Sequence, residues 1–158
     1  MINIGIIGCG LIGKKRAAAL GSGWNLIACA DIDIKQAQSL VGTNSRAFDN
    51  SSQLLALPEV EAVIIATTHN SLSQITLEAI EAGKHVLVEK PAARNSHELE
   101  LVMAAAAKHN VKVHVGFNLR YHRAMRKAKE LIDAGALGDL MFLRARYGHG
   151  GRVGYDRE

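Results

Sequence analysis

Cysteine, proline and aromatic residues are scarce in this 158-residue chain, which has two cysteines, two prolines and 4% aromatics. Two cysteines cannot build a disulfide framework, and Cys9 and Cys29 lack the CxxC spacing of a metal site. So few prolines, together with 48% hydrophobic and 22% charged residues, exclude disorder as the bulk state. No nucleic-acid reading motif or set of stacking aromatics is present, so no nucleic-acid partner is expected. No uninterrupted apolar run approaches the ~18 residues of a membrane-spanning helix. No basic leader precedes the apolar start Met1-Ile2-Asn3-Ile4, so no signal peptide is expected. These absences predict a soluble, cytoplasmic protein with no membrane partner.

The net charge of +4 belongs to one end of the chain. Basic and acidic side chains balance over residues 1–118 at ten each, whereas residues 119–158 carry nine basic and five acidic ones. The sequence pI of about 9.2 therefore describes a tail, not a domain.

What is present is an alternation of strand and helix patterns. Apolar runs at residues 2–7 and 26–30, with a short one at 45–48, alternate with helical stretches at 11–20 and 34–41. A short helix or turn at 51–57 closes at Pro58. The pattern then restarts with β-branched or apolar strands at 62–66, 85–88 and 111–115, separated by helices at about 71–82 and 96–108. Asn95 and Glu98 resemble a capping box for the last of these. Two successive βαβαβ halves with short connections predict an α/β fold: a doubly wound parallel sheet of the Rossmann type over residues 1–118. Residues 119–158 read as a linker helix (121–134) and a strand (140–147), the beginning of a second α/β domain. A lone apolar strand needs a partner, so the chain is expected to be cut short and to self-associate through that edge as a homo-oligomer.

Gly8-Cys9-Gly10-Leu11-Ile12-Gly13 is a G-x-G-x-x-G set directly between the first strand and the first helix. Gly8 permits the tight turn, Gly10 lets a pyrophosphate approach the backbone, and Gly13 lets the helix pack closely on the strand. Phosphate charge then meets the free N–H groups of the helix N-terminus. Glycines also close ordinary turns, and it is the strand–turn–helix placement that assigns this loop to a dinucleotide. Asp31, at the end of the second strand, can accept hydrogen bonds from both adenosine ribose hydroxyls and would repel a 2′-phosphate, which favours NAD over NADP. The competing duty for Asp31 is a helix cap, which Asp33 is better placed to serve. Cys9 reads as a small loop residue and Cys29 as a buried strand filler.

In doubly wound sheets, ligands bind beyond the carboxyl ends of the strands. Polar residues stand at three such ends: Thr67-Thr68-His69-Asn70, Glu89-Lys90-Pro91, and Gly116-Phe117-Asn118-Leu119-Arg120-Tyr121. A lysine at a strand mouth can polarise a substrate hydroxyl or carbonyl. The plain alternative is a surface ion pair ahead of a proline-started turn.

Taken together, Gly8–Gly13, Asp31, the run Ala82-Gly83-Lys84-His85 leading into Glu89-Lys90-Pro91, and Arg120-Tyr121 with the 135–138 turn resemble the Gfo/Idh/MocA oxidoreductases. The resemblance covers residues 2 to about 150. It implies a Rossmann domain followed by a substrate-holding α/β domain, and hydride exchange between a nicotinamide and a sugar, cyclitol or nucleotide-sugar hydroxyl. By matching position, Lys90 is the catalytic residue that holds the substrate hydroxyl and passes its proton. Glu89 and Asn118 border the nicotinamide. Thr67, His69 and Asn70 border the cofactor's ribose and pyrophosphate, and Arg120 and Tyr121 sit where cofactor meets substrate. Two departures stand out. Thr68-His69 replaces the family's Pro-Asn, with Leu72 where a histidine is usual, and the Asp and His that complete the catalytic group lie beyond residue 158. The basic run from Arg144 to Arg152 suits a sugar-like substrate bearing phosphate. The alternative function is a non-catalytic NAD-binding module, either a redox sensor or an assembly subunit.

Overall fold

A computed structural model describes residues 1–146 and 148. They fall into two compact units, Met1–Phe117 and a second that begins at Asn118. Tyr147 and residues 149–158, including His149 and Arg152 of the basic run, lie outside the described residues.

The first unit alternates β1 (Ile2–Ile7), α1 (Leu11–Ala18), β2 (Trp24–Ala30), α2 (Ile34–Gln38), β3 (Arg46–Phe48) and α3 (Ser51–Leu55). It continues with β4 (Ala62–Ile65), α4 (Leu72–Glu81), β5 (His85–Val88), α5 (Ser96–His109) and β6 (Val113–Val115). All five strand pairings are parallel, and the strand order is β3-β2-β1-β4-β5-β6. This is the doubly wound order, with its switch point between β1 and β4.

Alternation along each strand feeds two cores. Ile4 and Ile6 of β1, Cys29 of β2 and Ile64 of β4 are buried with Ala37 and the partly buried Ala17, Leu20 and Ile34. Ile7, Ala28, Ala30, Val63, Ile65, Val86 and Val88 are buried with Leu54, Leu72, Ile80 and Val102. A sheet covered by apolar residues on both faces is the reason its strands read as near-continuous hydrophobic runs. Leu72 is fully buried, so its departure from the family's histidine makes it a core residue at the start of α4.

The Ala82-Gly83-Lys84-His85 run holds the α4–β5 turn together. Gly83 takes a left-handed φ of 72°, which favours glycine. Lys84 is buried and its ammonium donates to the Leu57 carbonyl at 2.7 Å. Burial pulls its pKa down, opposed by the nearby Glu59 carboxylate. His85 Nδ1 accepts the Lys112 N–H at 3.0 Å, tying β5 to the start of β6.

The capping box of α5 forms in modified fashion. Asn95 Oδ1 accepts the Glu98 N–H at 2.9 Å, but the Glu98 carboxylate returns to the Arg94 N–H, not to that of Asn95. Hydrogen bonds from the Arg94 side chain, the Arg94 N–H and the Ser73 hydroxyl of α4 together hold the Glu98 pKa down at about 2, against an ordinary 4.5. A carboxylate with a depressed folded pKa stabilises the fold above its unfolded pKa, and that contribution is lost as pH falls through the folded value. Glu98→Gln is therefore expected to lower stability near neutrality and to flatten the fall in stability between pH 4.5 and about 2. A series of urea midpoints across that window measures it, and parallel curves for parent and variant would refute it.

The second unit contains a 3-10 helix (Asn118–Tyr121) and α6 (Arg123–Asp133). Lys127–Glu130 and Lys129–Asp133 pairs run along α6. Gly135 follows it with a left-handed φ of 68°. The strand expected at 140–147 is not formed across 140–146, and Leu140, Met141, Phe142 and Leu143 are exposed. A strand persists as part of a ladder, and no described segment pairs with this one. No helix among the described residues is long and apolar enough to cross a membrane.

Candidate functional site

The carboxyl ends of the strands converge because short backbone bonds extend the ladders past the last strand residues. Gly8 N–H donates to Ala30 O at 2.8 Å, Ala66 N–H to Ile7 O at 2.7 Å, Glu89 N–H to Ile65 O at 2.9 Å and Gly116 N–H to Val88 O at 2.8 Å. The glycine loop, the Thr67 loop, the Glu89–Pro91 turn and Gly116 thus stand along one edge of the sheet.

Each glycine of the loop has a distinct reason to lack a side chain. Gly8 adopts φ +90°, and a Cβ there would stand 2.6 Å from the Ala66 carbonyl carbon and oxygen and 2.7 Å from Thr67 N. A Cβ on Gly13 would lie 2.0 Å from Gly8 O, so the helix packs directly on the loop backbone. Gly10 is different: nothing lies within 4 Å of a Cβ built there. No part of the first unit accounts for a glycine at that position, whereas a ligand lying against the backbone does. Gly10 is also the N-cap of α1 and provides no side-chain cap, which leaves the first-turn N–H groups available to an anion. Leu11 and Ile12 begin α1 with their apolar side chains exposed.

Asp31 is brought directly to this loop. Its Oδ2 accepts the Cys9 N–H at 2.7 Å and its Oδ1 accepts the Asp33 N–H at 2.9 Å. These two bonds fix the carboxylate at the end of β2, while Asp33 caps α2 by accepting from Lys35 N. The helix cap falls to Asp33, as expected from the sequence. Beside Asp31, Ile32 is 98% exposed, an apolar side chain left bare next to the loop. Cys9 and Cys29 are both fully buried. The Cys9 thiol donates to Ala30 O at 3.5 Å. Its contact with Cys29, reinforced by burial, pushes the Cys29 thiol up.

At the β4 end, Ser71 Oγ donates to Thr67 Oγ1 at 3.0 Å and Thr68 Oγ1 donates to Asn70 Oδ1 at 2.6 Å. His69 is exposed. At the β5 end the surface ion pair weighed as the plain alternative does not form between Glu89 and Lys90. Glu89 turns instead to α1, where Arg16 Nε donates to its Oε1 at 2.6 Å and the Arg16 Nη2 nitrogen joins the same oxygen. Lys90 is exposed and has no hydrogen bond or ion pair among the described residues. Its ammonium is thus available at the strand mouth, and the surface-pair alternative does not describe it. Asn118 and Arg120 lie on the 3-10 helix of the second unit.

Arg16 and Ile32 are the residues that sequence reasoning missed. Ile32 carried a readable signal, an apolar residue between two aspartates. Arg16 carried none, because its partner is 73 positions away.

A Gly10 cradle with no protein neighbour, a helix N-terminus without a side-chain cap and an acid fixed at the end of β2 fit a dinucleotide. Comparison with known proteins agrees. The Gfo/Idh/MocA family model, described as an oxidoreductase family with an NAD-binding Rossmann fold, matches residues 2–117. Inositol 2-dehydrogenase 3 of Saccharopolyspora erythraea is 34% identical over 142 residues, which is 87% of this chain and 42% of that protein. Inositol 2-dehydrogenase of Ralstonia nicotianae is 33% identical over 153 residues, covering 92% of this chain and 45% of that protein. Among solved structures, scyllo-inositol dehydrogenase from Lactobacillus casei with bound NAD(H) and scyllo-inositol superposes with a TM-score of 0.80 at 30% identity. That match covers 88% of this chain and 43% of that one. The chain spans less than half the length of these relatives.

Proposed function

This chain belongs to the Gfo/Idh/MocA oxidoreductase family, with its NAD-binding Rossmann fold, and from that premise we propose that it serves a dehydrogenase acting on a cyclitol or related sugar hydroxyl. Lys90 carries the proposal. It is a lysine with no partner among the described residues, at the strand end next to the glycine-loop edge, in a chain whose relatives are inositol dehydrogenases.

In this reading, Gly8, Gly10 and Gly13 let the pyrophosphate rest on the loop backbone and the first turn of α1. Leu11, Ile12, Thr67, His69 and Asn70 line its course. Asp31 holds the adenosine ribose hydroxyls, and its charge disfavours a 2′-phosphate. Ile32 covers the adenine. When bound, NAD supplies the hydride acceptor. Lys90 Nζ holds the substrate hydroxyl oxygen and passes its proton, a role suited to a flexible amine with rotatable donors. Glu89 borders the nicotinamide end, and the resemblance gives Asn118 and Arg120 cofactor-binding roles as well. The residues that would finish the substrate pocket belong to the half of the relatives' length that this chain does not span. Self-association is part of the reading through exposed Leu140–Leu143, and light scattering that returned a clean monomer would remove it.

The test is turnover of myo-inositol and scyllo-inositol by the full natural protein, followed as NADH appearance. Oxidation of either cyclitol with NAD, and much less with NADP, is expected. NAD binding without oxidation of any cyclitol or sugar would refute the dehydrogenase reading.

A further inference from the structure

The Arg16–Glu89 contact joins the second turn of α1 to the end of β5, and both side chains are largely covered, at 27% and 12% exposure. Both Arg16 nitrogens fall on Oε1 of Glu89, and Oε2 has no partner among the described residues. Gly116 is the third member of the cluster. A Cβ there would stand 3.1 Å from Arg16 Nη2 and 3.2 Å from Glu89 Oε1, so the pair occupies the space a side chain would take. The carboxylate is therefore fixed in one orientation at the carboxyl edge, with its charge compensated from behind.

We propose that Arg16 is a positioning residue that sets the balance between oxidised and reduced cofactor, by pinning Glu89 and neutralising its charge. This rests on the reading that Glu89 borders the nicotinamide. The oxidised ring is cationic and the reduced ring is neutral, so a bare carboxylate beside it favours the oxidised form and a compensated one does not. A salt bridge serving only to brace α1 against β5 has no such consequence, because it acts on the fold alike whichever cofactor is present.

The experiment measures dissociation constants for NAD+ and NADH with the full chain and four variants, by calorimetry and by NADH fluorescence. Arg16→Gln should shift the ratio of the two constants toward NAD+ by about tenfold, the size of one charge interaction across about 12 Å at an effective dielectric of about 20. Expressed as a midpoint potential of the bound two-electron couple, that is about 30 mV lower. Glu89→Gln leaves Arg16 uncompensated and should shift the ratio toward NADH by a similar factor. The double variant and Arg16→Lys should both lie near the parent. Glu89→Gln changes no shape, so it keeps the test intact if Arg16→Gln does not fold. Ratios unchanged within about twofold across the single variants would overturn the proposal. An equal loss of both cofactors in Arg16→Gln, the sign of a role at the pyrophosphate, would do the same. Failure of the parent to bind either cofactor would instead overturn the cofactor reading itself, and the inference with it.

Discussion

Alanine at Gly13 is expected to abolish NAD binding together with the native loop, whereas alanine at Gly10 is expected to leave the fold intact and weaken NAD alone. A Gly13 methyl would lie 2.0 Å from Gly8 O, a backbone atom that cannot swing aside. Either α1 lifts off the sheet or the loop moves, at a cost of about 3 kcal/mol or more. The Gly10 methyl has no protein neighbour within 4 Å and a φ of −69° that any residue adopts. Its stability effect should stay within about 0.5 kcal/mol, and its whole consequence falls on a ligand lying against the backbone. A loss of about tenfold or more in NAD affinity is expected, from a methyl intruding where the pyrophosphate makes its closest approach. Thermal unfolding paired with NAD titration separates the two variants. A Gly10→Ala protein that binds NAD like the parent would show that the open space is not the cofactor's.

Lys90→Ala should have the largest effect on turnover and almost none on folding or cofactor affinity. Removing a positioned proton-transfer group typically costs 10²–10⁴-fold in rate. The side chain is exposed and has no partner among the described residues, so its removal leaves no orphaned group. The same loss is expected for Lys90→Arg, because a guanidinium does not release a proton in this pH range. The measurement is kcat for cyclitol oxidation by the full natural protein, with the NAD dissociation constant as control. If the protein's role survived Lys90→Ala undiminished, the chain would be a non-catalytic NAD-binding module instead.

The fold was legible because its signals are local. The G-x-G-x-x-G, the β-branched runs and the Asn95 cap each lie within a few positions of one another, and the strand–helix alternation left one topology. Boundaries were less legible. The helix read over 34–41 stops at Gln38, and the strand read from Val111 starts at Val113 because the Val111 N–H turns back to the Ala106 carbonyl. The segment 140–147 reads as a strand because its apolar pattern states a demand for a partner, and no described segment pairs with residues 140–146.

At the site, the loop glycines and Asp31 were readable because backbone approach and ribose binding demand those residue types at that spacing. Lys90 was readable as a candidate only through the Glu-Lys-Pro triplet. Glu89 was placed beside Lys90 as a possible surface pair, yet it pairs with Arg16 across the sheet. No local rule predicts a partner that only the parallel packing of β1, β4 and β5 brings near.

The account turns on cofactor binding, and calorimetric titration of the chain with NAD and NADP, in parent and Asp31→Ala, tests it most directly. The account predicts saturable one-to-one binding of NAD, tighter than NADP in the parent. In Asp31→Ala it predicts an NAD affinity lower by about tenfold or more, as hydrogen bonds to a carboxylate are lost, with the preference over NADP erased. Absence of saturable NAD binding by a folded parent would contradict it. So would an NADP preference that Asp31→Ala leaves unchanged.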